Sequence, residues 1–306
     1  MNKFNELLQR SGPIILDGGL ATQLESMGFD ISGSLWSAGL LDKNPRAIVA
    51  AHRAYLDAGA DCIVSASYQA SRHGFVAHGY SVAEADRLIA RSVELALTAR
   101  EEYLADNPAA DSPLVAASVG PYGATLHDGS EYTGRYRISA QQLGRFHAER
   151  LALLDASGAD VLAVETIPNF TEARVLCDLL EEVSTPAWVS FACKDERNLS
   201  DGSEFWAAAG LFADHPCVHA VGINCTAPKF IAALIVEAKA AAPDKAIVVY
   251  PNSGEIYNAA DNSWSGIACD FNTDFDAAGW YAAGAKLIGG CCRTGPANIA
   301  ALRELL

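Results

Sequence analysis

No basic cluster interrupts this chain. Its 22 lysines and arginines never gather in a group of five or more, against a formal net charge of −15. Nucleic acid and anionic membranes both demand a positive surface, so neither is expected as a partner. Long hydrophobic runs are missing too. None approaches the roughly 18 apolar residues of a membrane span, and the opening Met1-Asn2-Lys3-Phe4-Asn5-Glu6 starts no apolar segment of secretory length. Cysteine is sparse for a scaffold, since eight in 306 residues do not make a disulfide framework. The expectation is a soluble cytoplasmic protein with free thiols, a monomer or weak homo-oligomer.

Several chemical signatures are also absent. No G-x-G-x-x-G follows the first apolar run, and no G-x-x-x-x-G-K-[ST] occurs, which removes the usual phosphate-cradling loops. The seven histidines (His52, His73, His78, His127, His147, His215 and His219) show no H-E-x-x-H or other ligand spacing. They read as surface or loop residues.

What is present is a repeated helix-to-strand punctuation. Asp57-Ala58-Gly59-Ala60-Asp61, Ala156-Ser157-Gly158-Ala159-Asp160 and Ala282-Ala283-Gly284-Ala285-Lys286 each follow a helical pattern and precede a Val/Ile/Leu-rich segment. Glycine just past a helix end is the expected left-handed cap. Apolar runs without alternation suit strands covered on both faces, as in parallel sheets. Eight such runs can be placed: Ile14–Gly18, Cys62–Ser67, Leu114–Val119, Val161–Thr166, Ala187–Cys193, Ala220–Cys225, Ala246–Tyr250 and Lys286–Gly290. Helical patterns lie between them at Pro45–Leu56, Val82–Leu104, Ala140–Ala156, Thr171–Val183, Phe205–Ala213, Pro228–Ala242 and Phe275–Ala283. Asn44 before Pro45 reads as an N-cap with proline at the first helical position.

Eight βα units with no linker predict an α/β protein, a closed (β/α)8 TIM barrel in one domain over residues 1–306. An open doubly wound sheet is the alternative. Three connections exceed what a barrel needs: Phe29–Asn44, Gly120–Ser139 and Ser253–Asp270. In a barrel all three fall on the C-terminal face, where barrel enzymes carry their sites.

Polar chemistry gathers at the ends of these runs. The first ends Asp17-Gly18-Gly19, the second Ser65-Ala66-Ser67-Tyr68-Gln69, the fourth Glu165-Thr166 and the seventh Tyr250-Pro251-Asn252-Ser253. A carboxylate closing an apolar run is costly unless it meets a cation or donors, and an α-amino group is one such cation. Asp17 could instead cap a helix. Tyr68 and Tyr250 read as packing, and Trp36 as lid packing or pocket wall.

Cysteine closes two of the runs, at Asn224-Cys225 and at Gly289-Gly290-Cys291-Cys292. Neighbouring side chains on a regular strand point to opposite faces. Gly289 and Gly290 allow unusual dihedrals and could turn both sulfurs toward one point. Three thiolates with an open fourth position are the arrangement of a catalytic zinc site. Cys62, Cys177, Cys193, Cys217 and Cys269 read as metal-free thiols, as cysteine is among the most buried residue types. Two rival readings keep the vicinal pair or the glycines and drop the rest. One is a redox or metal-storage barrel; the other is a lyase or isomerase holding phosphate behind Gly289-Gly290.

In order along the chain, Leu16-Asp17-Gly18-Gly19, Ser34-Leu35-Trp36-Ser37, Ala66-Ser67-Tyr68-Gln69-Ala70, Ser118-Val119-Gly120-Pro121-Tyr122-Gly123, Val164-Glu165-Thr166-Ile167-Pro168, Gly222-Ile223-Asn224-Cys225, Val249-Tyr250-Pro251-Asn252-Ser253-Gly254-Glu255 and Gly289-Gly290-Cys291-Cys292-Arg293 resemble the homocysteine S-methyltransferase family. The likeness is to its stand-alone enzymes that use S-methylmethionine or S-adenosylmethionine. The resemblance implies a (β/α)8 barrel with zinc on Cys225, Cys291 and Cys292. It also implies a homocysteine amino group near Asp17 and Glu165, and its carboxylate at backbone N–H groups around Gly18 and Gly19. Trp36 first and Tyr68 second are the aromatic candidates for the donor's cation, and Asn252 is a further substrate-side candidate. Betaine-using relatives carry a C-terminal extension, and cobalamin-dependent ones append folate and cobalamin domains. This chain stops at Leu306, one helix after Cys292, so a sulfonium donor is expected and betaine is the alternative.

Overall fold

The structure, a computed structural model, describes every residue except Met1, Ser32, Ser34, 259–262, Asp270, Asn272 and Thr273. Eight strands form one parallel sheet: β1 (Ile14–Ile15), β2 (Cys62–Val64), β3 (Leu114–Val119), β4 (Val161–Ile167), β5 (Ala187–Phe191), β6 (Val218–Asn224), β7 (Ala246–Tyr250) and β10 (Ala285–Ile288). Their order is β1-β10-β7-β6-β5-β4-β3-β2, and a parallel bridge between Leu16 and Cys62 joins the two ends. The sheet therefore curls into the expected TIM barrel, with helices between the strands. Two short strands, β8 (Ile256–Asn258) and β9 (Ser263–Ser265), pair antiparallel outside it.

The strands are apolar on both faces because both faces are covered. Leu16, Leu114, Ala116, Val161, Ala163, Ala220 and Leu287 pack inside the barrel. Alternate residues such as Ile63, Val115, Leu162, Val221 and Ile247 face the helices. A helix the pattern reading did not include, Lys3–Leu8, closes the N-terminal end of the barrel. Its Phe4 is fully buried, with its ring centroid 6.0 Å from that of Trp188.

The glycine punctuation is as expected, with Gly59, Gly158 and Gly284 all at positive φ. The polar residue after it has a use that spacing did not show: Asp61 accepts from Ile15 N at 2.8 Å, and Asp160 from Val115 N at 2.9 Å. Asn44 does stand at the N-cap before Pro45, but its side chain makes no capping bond.

Several strand ends and histidines differ from expectation; β5 and β10 stop two residues early, His215 is buried and His219 lies within β6. β1 and β2 stop early because a side chain replaces the ladder: Val64 N donates to Asp17 Oδ2 at 2.8 Å. His52 and His147 are fully buried rather than at the surface, since each lies on the core face of its helix. His147 Nε2 meets Glu172 Oε1 at 2.7 Å. That same carboxylate accepts from Tyr122 N at 2.7 Å and from the Tyr136 hydroxyl, so it ties down both ends of the long connection after β3.

The three long connections contain local structure too short for a periodic pattern to reveal. The first carries a 3-10 turn at Trp36–Gly39, the second a 3-10 turn at Tyr122–Thr125 and a helical turn at Ser130–Thr133, and the third the β8–β9 pair. Among the described residues no helix is long and apolar enough to cross a membrane.

Candidate active site

At the C-terminal ends of the strands a pocket of about 130 Å³ opens between Asp17, Trp36, Tyr68, Glu165 and the three cysteines Cys225, Cys291 and Cys292. The cysteine sulfurs converge there. Cys225 Sγ lies 3.6 Å from Cys292 Sγ, Cys291 Sγ lies 4.0 Å from Cys292 Sγ, and all three fall within 4.8 Å of one another. Sulfurs around one tetrahedral ion at about 2.3 Å stand about 3.8 Å apart, so the group fits a metal of that kind. The Tyr132 hydroxyl lies 3.8 Å from Cys292 Sγ and 3.9 Å from Cys225 Sγ.

Gly289 and Gly290 do not supply the expected turn. Neither has a positive φ; the left-handed residue is Arg293, at φ 68°. Thr294 N donates to Cys291 O at 3.2 Å, closing a tight turn that brings both sulfurs to one side. The two glycines are needed for closeness instead. A Cβ on Gly289 would stand 2.6 Å from the Cβ of Leu16, and one on Gly290 would stand 2.2 Å from Thr294 Cγ2.

Glu165 is brought in by an irregularity in β4. Between the pairs Val164–Val189 and Ile167–Phe191, β4 advances by three residues while β5 advances by two. The extra residue is a bulge, a device that re-aims side chains. Thr166 there is left-handed, at φ 60°, and is clamped by Asn224, whose Oδ1 accepts from Thr166 N and whose Nδ2 donates to Thr166 Oγ1, both at 2.7 Å. Consecutive residues Glu165 and Thr166 thus both line the pocket. Cys225 is itself left-handed, at φ 47°, and so is Trp36, at φ 45°. Non-glycine residues so placed cost about 1–3 kcal/mol each and cluster at working sites.

The pocket carries three carboxyl groups. Glu165 accepts from the Ser118 hydroxyl and from Tyr250 Oη, the latter at 3.0 Å, and Tyr250 is braced in turn by Trp188 Nε1 at 3.0 Å. Burial pushes Glu165 up to about 7 despite those two hydroxyls, and the Cys292 sulfur adds to the rise. Burial likewise holds Asp17 well above the usual carboxylate range, opposed by the Val64 N–H and reinforced by the charge of Glu165. Glu131, which sequence reasoning did not single out, lies 4 % exposed in the wall and is also pushed up to about 7, first by burial. Among the described residues, no lysine or arginine lines the pocket. Arg293, the nearest in sequence, turns to Glu255 Oε2 at 3.0 Å.

Three expectations about individual atoms change. Gly19 N donates to Thr294 O at 2.9 Å, so it is taken up by the fold rather than left to meet a carboxylate. Gly18 and Gly19 still line the pocket, but each lies where a Cβ would collide, 2.4 Å from Thr294 O for Gly18 and 2.7 Å from Cys291 O for Gly19. Asn252 is not in the wall; its Nδ2 donates to Cys225 O at 3.2 Å, and its Oδ1 accepts from Gly254 N at 2.9 Å. Tyr250, read as packing, touches Glu165 directly. Ser34, in one of the quoted motifs, lies outside the described residues.

Known proteins resemble this chain over nearly its whole length. The family model described as homocysteine S-methyltransferase matches residues 14–306. A homocysteine S-methyltransferase of Escherichia coli (strain K12) is 48 % identical over 308 residues, covering 99 % of this chain and 98 % of that one. Homocysteine S-methyltransferase YbgG of Bacillus subtilis (strain 168) is 47 % identical over 303 residues, covering 98 % of this chain and 96 % of its own. Among solved structures, the metallated form of the homocysteine methyltransferase MmuM from Escherichia coli superposes with a TM-score of 0.89 at 44 % identity, covering all of both chains.

Proposed function

Since the chain belongs to the homocysteine S-methyltransferase family, we propose that it transfers a methyl group to homocysteine from a sulfonium, S-methylmethionine or S-adenosylmethionine, with zinc on Cys225, Cys291 and Cys292. The observation that carries this reading is the meeting of three sulfurs within 4.8 Å beside two buried carboxyl groups, in a pocket with no basic residue among its described lining. A zinc ion bound there would supply Lewis acidity that favours a substrate thiol as its thiolate near neutral pH. The chain's own residues do the rest. Asp17 and Glu165 receive the α-amino group of homocysteine, which provides the cation their burial calls for. Ser118 and Tyr250 hold Glu165 in place for it. The helix Leu20–Ser26 starts beside Gly19 without a side-chain cap, and its first turn faces the substrate carboxylate.

The thiolate then attacks the methyl carbon in line. A C–S bond forms, the bond to the sulfonium sulfur breaks, and its electron pair stays on the donor sulfur. Two neutral thioethers result. Opposite charges vanish in this step, so a pocket closed to water favours it. No proton need reach the leaving group, which agrees with a wall that contains no histidine among the described residues. The Trp36 face can attract the sulfonium for about 0.5–2 kcal/mol.

The test compares S-methylmethionine, S-adenosylmethionine and betaine as donors to homocysteine with zinc-loaded protein, reading methionine formed. Turnover with the sulfoniums is expected. Stronger turnover with betaine would overturn the donor assignment.

A further inference from the structure

Two of the pocket's carboxyl groups are held by neighbouring residues, while the third, Glu131, leaves one oxygen without a partner. Asp17 accepts from Val64 N, and Glu165 from Ser118 and Tyr250. Glu131 Oε2 is buried and accepts no hydrogen bond among the described residues. A buried carboxylate oxygen without a partner is destabilising, and among the described residues no cation in the lining offsets it.

The position is nevertheless fixed. The helical turn Ser130–Thr133 sits between left-handed Gly129 and Gly134, at φ 78° and 63°. Ser130 N donates to Asp128 Oδ1 at 2.9 Å, and Gly134 N donates to Ser130 O at 2.7 Å. A Cβ on Gly123 would stand 2.8 Å from Glu131 N, so the turn lies flush on the segment beneath it. Glu172 anchors the connection on both sides, through Tyr122 and Tyr136. The next residue, Tyr132, reaches over the sulfurs of Cys225 and Cys292. A rigid support thus holds a carboxyl oxygen without a partner beside the point of reaction.

We infer that Glu131 binds the positive charge of the donor's sulfonium, using the carboxyl oxygen that the fold leaves without a partner. The inference rests on the proposed sulfonium reading. A trisubstituted sulfonium has no N–H or O–H to offer, so it is met by charge alone, and an oxygen free of hydrogen bonds suits it. Asp17 and Glu165 remain for the acceptor's amino group. Because the sulfonium charge disappears on transfer, Glu131 grips the donor and not the thioether product. Its contribution is therefore to donor binding and product release, not to lowering the chemical barrier.

The experiment measures kcat and KM for S-methylmethionine and for dimethylsulfoniopropionate, a sulfonium without an amino group, in the zinc-loaded wild type and in Glu131→Gln. The expected result is a rise of about tenfold or more in KM for both donors, with kcat not lowered, as for loss of a ground-state charge contact. Zinc content and the KM for homocysteine should stay unchanged. An unchanged donor KM overturns the inference, as does a loss confined to the amino-bearing donor or a rise in the homocysteine KM. Calorimetric titration reads binding without turnover and separates the two levels. A sulfonium that binds the wild type but not Glu131→Gln supports the inference even where methyl transfer fails; a wild type that binds neither sulfonium overturns it.

Discussion

The two ends of the barrel follow opposite rules. At the N-terminal end the centre is a hydrophobic plug, and acidic side chains at the strand starts are hydrogen-bonded. Asp61 and Asp160 each accept a backbone N–H of the neighbouring strand, and Phe4 packs near Trp188. At the C-terminal end a bulge in β4 turns Glu165 to the pocket, three lining residues are left-handed, and carboxyl groups are buried with no cation among the described lining residues. The first end is built for stability. The second stores free energy that ligands can release, so ligand-free stability and function should respond in opposite directions there.

Substitutions at the two ends should therefore separate cleanly. The largest effect is expected from Cys292→Ser, which should remove bound metal and lower methyl transfer by more than about a hundredfold, since groups merely supporting a metal ligand are typically worth 10- to 100-fold. Its circular dichroism should remain that of the wild type; retained activity in metal-free protein would count against the mechanism. At the other end, Phe4→Ala should cost about 3–5 kcal/mol of stability through the cavity it leaves. Denaturant unfolding would show this, while the KM for homocysteine stays where it was.

Glu131→Gln should do the reverse and raise the stability of the ligand-free protein by about 1–2 kcal/mol at pH 8, by removing a buried charge with no cation facing it. The sign follows from the folded value of about 7, raised above the ordinary 4.5. Such a group adds stability below its unfolded value and loses it as pH rises through the folded one. The gain from the substitution should therefore be larger at pH 8 than at pH 5, and melting curves of both proteins at the two pH values would check this. The smallest effect is expected at Glu165→Gln, with the KM for homocysteine up about tenfold from loss of the charge opposite its amine. In the wild type, kcat/KM for homocysteine should fall as pH drops below about 7, where Glu165 takes up a proton.

Much of this contrast is legible in the chain itself. Unbroken apolar runs capped by Gly59, Gly158 and Gly284 locate the strands, because two-sided burial leaves no room for alternation. Asp17, Glu165, Cys225, Cys291 and Cys292 are conspicuous for the same reason, as polar or reactive groups closing apolar segments, and all five reach one pocket. Glu131 and Tyr132 escape notice because a four-residue helical turn has no period to detect. Nothing local says that Gly120–Ser139 folds back over the sulfurs; that follows from Glu172, far along the chain, holding Tyr122 and Tyr136. Gly289 and Gly290 mislead because glycine marks both unusual dihedrals and close contact, and only the neighbours at Leu16 and Thr294 tell the two apart.

The clamp between Asn224 and Thr166 has one more consequence. It couples the residue next to Glu165 on β4 to the residue next to Cys225 on β6, with two bonds of 2.7 Å. Under the proposed reading these are the jaws of a calliper, one closing on the substrate's nitrogen and the other on its sulfur. The opening between them is set by a single amide rather than by loops that can drift. An amino-acid thiol one methylene shorter than homocysteine would have to let go of one jaw to be held by the other.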